Sequence, residues 1–194
     1  YDKAKVKGVE WAAGYFNECM NGFEYQAAGH MVWEGLVQEG LAVTRAVHDR
    51  YSALRRNPWN EVECGDHYAR SMASYGVFLA VCGFEYHGPK GHIGFAPRLT
   101  PEKFKAAFTC AEGWGTYQQT ASDSIMEVKI EVKRGALSVK TLALATTKQP
   151  AAVTVTAAGR TAGCKYQIEN GRLLITLAEP AQIQGGEILA IVVS

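Results

Sequence analysis

The stretch Met126-Glu-Val-Lys-Ile-Glu-Val132 alternates apolar and charged residues. A period of two places the apolar side chains on one face, which is the pattern of a half-buried β-strand. Runs of β-branched and aliphatic residues follow at 153–156 and 173–177. Turn residues lie between the runs, and these are Arg134-Gly135, Asn170-Gly171 and Gly185-Gly186. The chain from Ala121 onward is therefore predicted to form a small antiparallel sheet.

The last apolar run, Ile188-Leu-Ala-Ile-Val-Val193, shows no alternation. A continuous apolar run is typical of a strand that is buried on both faces. We therefore expect a final strand that lies inside this sheet or against a further part of the protein.

Upstream of the sheet, residues 9–90 are predicted to be mainly helical. Between Phe23 and Leu41 the apolar residues recur at helical spacing, and Gly40 predicts a break before the next segment. A later helix is predicted after Asp66, a favourable N-cap residue. Its apolar face carries Met72, Tyr75, Leu79 and Cys82. Residues 87–94 are rich in glycine and contain a proline, which predicts a loop.

Charge and hydropathy exclude two classes of protein. The 20 Lys and Arg against 19 Asp and Glu leave a net charge of +1, and the longest basic cluster is Arg55-Arg56. A nucleic-acid partner is therefore not expected. The longest apolar run, residues 75–84, has about half of the roughly 20 residues that a membrane-spanning helix needs. No membrane span is predicted.

The five cysteines are odd in number and have no close C-x-x-C spacing. This is not the pattern of a disulfide framework or a zinc ribbon, and reduced thiols favour a cytoplasmic location. The first residue is Tyr1, and the lysines that follow it precede no apolar segment of the kind found in signal peptides. We expect no secretion signal within these residues and no cofactor.

The densest group of functional side chains lies in residues 57–70, across a predicted loop and the start of a helix. Asp66 and Arg70 stand four positions apart, and His67 and Arg70 stand three apart. On a helix these spacings place the side chains on one face. The segment therefore concentrates charged and aromatic groups at one place.

Glu61, Arg70 and Trp59 suit a neutral polyhydroxyl ligand. A carboxylate accepts hydrogen bonds from hydroxyls, a guanidinium donates to them, and an aromatic ring packs on sugar C–H groups. The same residues fit an ion pair between Arg70 and either Glu61 or Glu63 that ties the loop to the helix. The residue pattern alone leaves both interpretations open.

Three further positions have a functional and a structural interpretation. Glu24 either faces a ligand pocket or is a solvated residue that stabilises a helix N-terminus. Cys64 and His67 have a C-x-x-H spacing, but no second pair stands at a suitable distance, so a metal site is not expected. Trp114 lies between two glycines that permit close approach of a neighbouring backbone. We expect it to pack in the core, with stacking on a sugar as the alternative.

Several motifs follow one another between residues 9 and 120. They are Gly22-Phe-Glu-Tyr-Gln26, Trp33-Glu-Gly-Leu36, Arg50-Tyr51, Arg56-Asn-Pro-Trp-Asn-Glu61, Glu63-Cys-Gly-Asp-His-Tyr-Ala-Arg70 and Met72-Ala-Ser-Tyr75. In this order and spacing they resemble the C-terminal part of glycoside hydrolase family 116, which includes bacterial β-glucosidases and the non-lysosomal glucosylceramidase. The resemblance implies a retaining enzyme that releases a terminal β-linked sugar, usually glucose.

The resemblance also implies a fold. It predicts an α+β chain in which residues 1–100 are the helical C-terminal part of an (α/α)6 catalytic barrel. Residues 101–194 would then be a β-rich C-terminal region with a small antiparallel sheet.

Roles for individual residues follow from the same resemblance. In the family, the first Glu of Asn-Glu-x-Glu-Cys-Gly and the Arg of His-Tyr-x-Arg hold hydroxyls of the nonreducing sugar, and these positions are Glu61 and Arg70 here. Trp59, His67 and Glu24 are further candidates for substrate binding. A retaining glycosidase needs two carboxylates about 5–5.5 Å apart. In the family both precede this stretch, so no catalytic residue is assigned within the chain.

Three hypotheses result. In the first, the chain is part of a retaining β-glucosidase or glucosylceramidase-like enzyme, with a β-glucoside or glucosylceramide-like substrate. Its catalytic carboxylates would lie in an N-terminal part of the same enzyme or in a second chain. In the second, the chain is a noncatalytic carbohydrate-binding or assembly module that presents Trp59. In the third, Glu61 and Arg70 form only a structural ion pair.

Overall fold

The computed structural model describes residues 20–51, 71–146 and 149–194. The chain divides into two compact units, a helical unit that ends at Ala80 and a β unit that begins at Val81. About half of the described residues lie in strands and a quarter in helices. In these ranges no helix is long and apolar enough to span a membrane.

Three helices occur in the described part of the chain: α1 (Asn21–Trp33), α2 (Val37–His48) and α3 (Ser71–Cys82), the last of which ends just inside the β unit. The acidic Glu24 in the first turn of α1 favours the helix, because it interacts with the positive end of the helix dipole. Between α1 and α2 the chain reverses at Gly35, whose φ of 90° is readily adopted only by glycine. The two helices are consequently antiparallel.

Small residues allow the helices to pack closely. A Cβ at Gly40 of α2 would lie 2.6 Å from the carbonyl oxygen of Ala28 in α1 and 2.8 Å from Cγ2 of Val32. Gly29, also on α1, lies against Gly76 of α3. Ala28 and Val32 are fully buried at this contact. The helical unit is therefore organised around α1.

The β unit contains ten strands within the described residues. They are β1 (Glu85–His87), β2 (His92–Phe95), β3 (Lys103–Thr109), β4 (Gly113–Ala121), β5 (Met126–Ala145), β6 (Val153–Ala157), β7 (Arg160–Ala162), β8 (Cys164–Glu169), β9 (Arg172–Gln184) and β10 (Ile188–Val193). A short 3₁₀ turn at Gly88–Lys90 joins the first two strands. The β2–β5 pair is parallel and the other strand pairs are antiparallel.

The strands form one mixed sheet that folds into two layers. The first layer has the order β1-β2-β5-β9-β8, and the second has the order β3-β4-β5-β10-β6-β7. Strand β5 belongs to both: up to Gly135 it pairs with β4 and β10, and from Ala136 it pairs with β9. Gly135 has a φ of 78°, and a Cβ there would lie 2.0 Å from the carbonyl oxygen of Glu112. Glycine is therefore required where β5 leaves one layer for the other.

Apolar side chains from both layers meet in one core. Phe95 of β2 stacks on Tyr117 of β4 with ring centroids 3.9 Å apart, which joins the first layer to the second. Other fully buried members are Ile130, Val132, Leu142, Leu144, Ile175, Leu189 and Ile191. Burial of such side chains contributes about 25 cal/mol per Å² of apolar area removed from water. The β unit thus has a core of its own.

The predicted fold class is wrong. The described residues are mostly β, with three helices and a large mixed sheet, rather than a helical portion of an (α/α)6 barrel followed by a small antiparallel sheet. Part of the physical reason lies in residues 85–95, where the glycine-rich segment forms a hairpin instead of a loop. The strands begin at Glu85, whereas the strand pattern predicted a sheet from Ala121 onward.

The last strand lies inside the sheet as predicted, between β5 and β6, but the prediction that both of its faces are buried is wrong. In β10, Leu189, Ile191 and Val193 are buried, whereas Ile188 and Val192 are exposed. Only one face of the strand therefore contacts the core. Its outward side chains are apolar, so the sequence shows no alternation although the burial alternates.

Candidate functional site

The predicted sugar-binding residues fall mainly outside the described residues. Trp59, Glu61, His67 and Arg70 all lie between residues 52 and 70, so their arrangement stays a prediction. Glu24 is described and lies in the first turn of α1. In the described part of the chain, the candidate site therefore consists of Glu24 and the residues around it.

Arg50, just after the end of α2, binds the carboxylate of Glu24. Its Nη2 atom donates to both carboxylate oxygens, at 2.7 Å from Oε1 and 2.6 Å from Oε2. The Arg50 side chain is 29% exposed and the Glu24 side chain 39%. Because α1 and α2 are antiparallel, the start of one helix and the end of the other come together. Glu24 is thus a paired, half-buried carboxylate rather than a freely solvated one.

A buried amide lies at the same end of the helix pair. Asn21 is fully buried, and its Nδ2 atom donates to the phenol oxygen of Tyr51 at 2.5 Å. Its Oδ1 atom is buried without a hydrogen-bond partner among the described residues. An acceptor in this position is costly unless a donor reaches it.

Tyr25 completes this group. Burial raises the pKa of the Tyr25 phenol; the positive charge of Arg50 opposes that effect and the negative charge of Glu24 adds to it. The phenol consequently stays protonated at neutral pH and can donate a hydrogen bond. We call Asn21, Glu24, Tyr25, Arg50 and Tyr51 the helical polar cluster.

The helical polar cluster offers both partners that a hydroxyl needs. The carboxylate and the amide oxygen accept hydrogen bonds, while the guanidinium and the phenols donate them. It contains one carboxylate, Glu24, so a mechanism that uses two carboxylates requires a residue from elsewhere. Its chemistry is therefore that of binding and positioning. The Arg50–Glu24 pair was not predicted, although Arg50-Tyr51 is one of the motifs, because nothing local in the sequence pattern pairs residues 26 positions apart.

A second cluster lies on the outer face of the first layer of the β unit. His92 contacts the Thr141 hydroxyl through Nδ1 at 2.8 Å and the Glu85 carboxylate through Nε2 at 3.4 Å. Arg172 donates to Glu85 from Nη1 at 2.5 Å and to the carbonyl oxygen of Ala143 from Nη2 at 2.9 Å. These contacts join four strands, β1, β2, β5 and β9, which is a structural role. This cluster was not predicted, because Arg172 is 87 positions from Glu85 and no local pattern connects them.

Neither cluster is arranged as a metal site. In the described part of the chain, no group of three or more His, Cys, Asp or Glu side chains is placed to hold a metal ion. Cys64, which the C-x-x-H spacing involved, lies outside that part.

An open groove of about 1010 Å³ lies at one end of the β unit, and Pro97, Pro101, Gln119 and Ile125 are among its lining residues. Gln119 is buried, but its amide is occupied at both ends. Its Oε1 accepts from Tyr117 at 2.5 Å, and its Nε2 donates to the carbonyl oxygen of Pro101 at 2.7 Å. The Gln119 amide therefore stabilises the wall of the groove and is not free to bind a ligand.

Trp114 does not pack in the core, so that prediction is wrong. Its side chain is 49% exposed and lies on β4 among the outward-facing residues of the second layer. The predicted role of its glycine neighbours is confirmed: a Cβ at Gly115 would lie 2.0 Å from the carbonyl oxygen of Glu131. A Cβ at Gly113 would lie 2.6 Å from the carbonyl oxygen of Arg134.

No protein-family model matches the chain, and no curated protein matches it either. Solved structures with a likeness to it are glycoside hydrolases. A GH127 β-L-arabinofuranosidase from Geobacillus stearothermophilus T6 is 14% identical with a TM-score of 0.38, over 65% of this chain and 18% of that chain. An α-L-rhamnosidase from Dictyoglumus thermophilum is 13% identical with a TM-score of 0.38, over 66% of this chain and 14% of that chain.

A GH31 dextranase from Flavobacterium johnsoniae is 10% identical with a TM-score of 0.36, over 53% of this chain and 16% of that chain. The two family numbers among these enzymes, 127 and 31, differ from 116. The chain spans less than a fifth of the length of each of these enzymes.

Proposed function

We propose that the chain is part of a retaining glycoside hydrolase that cleaves terminal β-linked glucose, as β-glucosidases and glucosylceramidases do. In this proposal it supplies residues that bind the sugar, and the two catalytic carboxylates lie in an N-terminal part of the enzyme or in a second chain. The observation that carries it is the pairing of Glu24 with Arg50. These residues come from two separate motifs of the resemblance to family 116, and they meet at one end of the helix pair.

The chemistry of the helical polar cluster supports binding of a glucose unit. A carboxylate held by an arginine keeps a fixed direction, so it can select hydroxyls by geometry as well as by charge. Glu24 and Arg50 are only partly buried and so remain within reach of a ligand, whereas the fully buried Asn21 contacts Tyr51. Glu61 and Arg70 remain the proposed contacts to the nonreducing sugar, with Trp59 and His67 beside them.

The test is binding of methyl β-D-glucoside to the purified chain, followed by saturation-transfer NMR and calorimetry. We expect binding by the wild-type chain. The Glu24→Gln substitution removes a charged acceptor, and hydrogen bonds to charged groups contribute about 1.5–3 kcal/mol, so the affinity should fall by about tenfold or more. Glu61→Gln should have an effect of similar size.

Arg45→Gln is the matched control. Arg45 also binds a carboxylate near the end of α2, that of Asp49, but the pair is exposed and four residues apart along one helix. Glucoside binding should therefore be unchanged in this variant. Absence of binding by the wild-type chain, or an equal loss in Glu24→Gln and Arg45→Gln, would contradict the proposal.

The second candidate function is a noncatalytic carbohydrate-binding or assembly module. It is favoured by the β unit, which has its own core and presents Trp114 to solvent. Native mass spectrometry separates the two candidates. A particle heavier than 21.1 kDa that contains a second polypeptide and hydrolyses β-glucosides favours the enzyme. A 21.1 kDa monomer that binds sugar without hydrolysis favours the module.

A further inference from the structure

Trp114 faces outward together with Thr116 and Gln118, because burial alternates regularly along β4. Gly115 lies opposite Val132, whereas Trp114 lies opposite Arg134, so β5 carries one extra residue at this point. Such a bulge bends the strand that carries it, here β5, and changes the direction of the side chains next to it. No ring contact within the described residues involves Trp114, so its aromatic surface is not used for packing against another ring there.

One cation lies beside Trp114, and two more lie further along the same face. Arg134 is its direct neighbour across the strand pair, and Lys105 and Lys129 lie on either side of Gln118, further along β4. All three cations are exposed, and none has a carboxylate within ion-pair distance in the described ranges. We call Lys105, Trp114, Gln118, Lys129 and Arg134 the Trp114 face.

Two acidic residues of β5, Glu127 and Glu131, lie on the same face, and the second of them is neutralised. Glu131 binds the ammonium group of Lys133 at 2.5 Å. The whole chain carries a net charge of only +1. The three unpaired cations of the Trp114 face are therefore a local concentration of positive charge, and they fit a ligand that carries negative charge.

We propose that the Trp114 face binds an acidic polysaccharide, a chain of pyranose units that carry carboxylates. The indole ring would pack on the C–H face of one sugar unit. Arg134 and the two lysines would then bind carboxylates, with the arginine able to hold one in a bidentate manner. Gln118 supplies both a donor and an acceptor for hydroxyls. The outer face of the three antiparallel strands β3, β4 and β5 is a surface rather than a closed pocket, so a polysaccharide can extend across it.

A nucleic acid is the competing anionic ligand. Single-stranded nucleic acids are bound by several aromatic side chains on which successive bases stack. The Trp114 face has one aromatic residue, which suits a ligand held mainly by its charges and hydroxyls. This inference goes beyond the proposed function, because it concerns a second site, in the β unit, and requires no hydrolysis.

The test uses the full chain and two forms of one polymer, polygalacturonate and its fully methyl-esterified derivative, in calorimetry at low salt. We expect polygalacturonate to bind and the neutral ester to bind at least about tenfold more weakly, with binding weakened further by added salt. Trp114→Ala should weaken polygalacturonate binding by about tenfold, the effect expected for loss of an aromatic contact of about 1.4 kcal/mol. Trp114→Phe, which keeps an aromatic ring, should retain most of the affinity.

The charge contribution is tested by the double variant Lys105→Gln/Lys129→Gln, which should bind more weakly and with a smaller dependence on salt. Its control is Lys165→Gln, an exposed lysine on the first layer, which should bind as the wild type does. Glu24→Gln should also leave polygalacturonate binding unchanged, so failure of the proposed glucose site and failure of this site are distinguishable. Thermal unfolding of each variant verifies the fold.

Three results would overturn the inference. The first is equal binding of the ester and the acid, which would indicate a neutral ligand. The second is unchanged polygalacturonate affinity in a folded Trp114→Ala variant. The third is tighter binding of an oligothymidylate than of polygalacturonate, which would assign the face to nucleic acid.

Discussion

The Glu24–Arg50 pair should contribute measurably to the stability of the helical unit, and the Arg45–Asp49 pair provides an internal standard for it. Both pairs have hydrogen-bond distances of 2.6–2.8 Å. They differ in burial: the side chains of Arg50 and Glu24 are 29% and 39% exposed, whereas those of Arg45 and Asp49 are 75% and 53% exposed. The two ion pairs therefore have similar hydrogen-bond distances but differ in how strongly water screens their charges.

The expected magnitudes follow from this difference. The exposed Arg45–Asp49 pair should contribute little, because water screens its charges. At a separation of about 4 Å, the attraction between two charges is about 1 kcal/mol in water and about 4 kcal/mol at an effective dielectric constant of 20. Partial desolvation offsets much of that gain for the half-buried pair. We therefore expect a coupling energy of about 1–2 kcal/mol for Glu24 and Arg50.

The assay is a double-mutant cycle for each pair, from urea unfolding followed by far-UV circular dichroism at neutral pH. Glu24→Gln and Arg50→Gln form one cycle, and Asp49→Asn and Arg45→Gln form the other. Arg50 makes a further interaction, and the cycle cancels its contribution because that interaction is lost in both Arg50 variants. Equal coupling energies in the two cycles, or a larger one for the exposed pair, would refute the reasoning.

Three further predictions concern the β unit. Gly115→Ala should destabilise the fold by about 3 kcal/mol or prevent folding, because its Cβ would lie 2.0 Å from a backbone oxygen. Gly163→Ala is the control: the nearest atom to its Cβ would be 3.5 Å away, so the midpoint of urea unfolding should change little. Tyr117→Phe leaves the buried Gln119 acceptor unpaired and should lower the free energy of unfolding by about 1–2 kcal/mol. Burial raises the pKa of Cys82 to about 11 from 9.0. The unfolded state therefore releases its proton first, so the free energy of unfolding should fall as pH rises from 9 to 11, and Cys82→Ala should reduce that slope.

Local sequence signals predicted the turns and the short-period strands well. The turn at Asn170-Gly171 is confirmed, since both residues have positive φ, 49° and 73°. The alternating run at 126–132 is confirmed as a strand. These features depend on residues that are close together in the chain, so a short window contains the whole signal.

Glycine was the main source of error, because its lack of a side chain serves different purposes. Gly40 was predicted to break a helix, but it lies inside α2 where α1 approaches closely. The actual reversal occurs at Gly35. Gly135 was predicted to end a strand at a turn, but β5 continues through it from one layer to the other. A short window of sequence contains the glycine, but it does not contain the distant segment that packs against it.

Trp114 shows why the site was harder to predict than the strand that carries it. The alternation of β4 leaves both faces possible for residue 114, and packing of the folded sheet decides that Gly115 and Tyr117 face the core and Trp114 faces outward. The register of β4 with β5 is likewise not visible in a short window of sequence. That register changes at the bulge, where Trp114 pairs with Arg134 and Gly115 pairs with Val132. The bulge depends on contacts between segments about 20 residues apart, and the two glycines are needed for those contacts. Replacing either glycine should therefore disturb the exposure of Trp114 as well as stability, and a shift in the fluorescence maximum of a variant that keeps Trp114 as its sole tryptophan would report it.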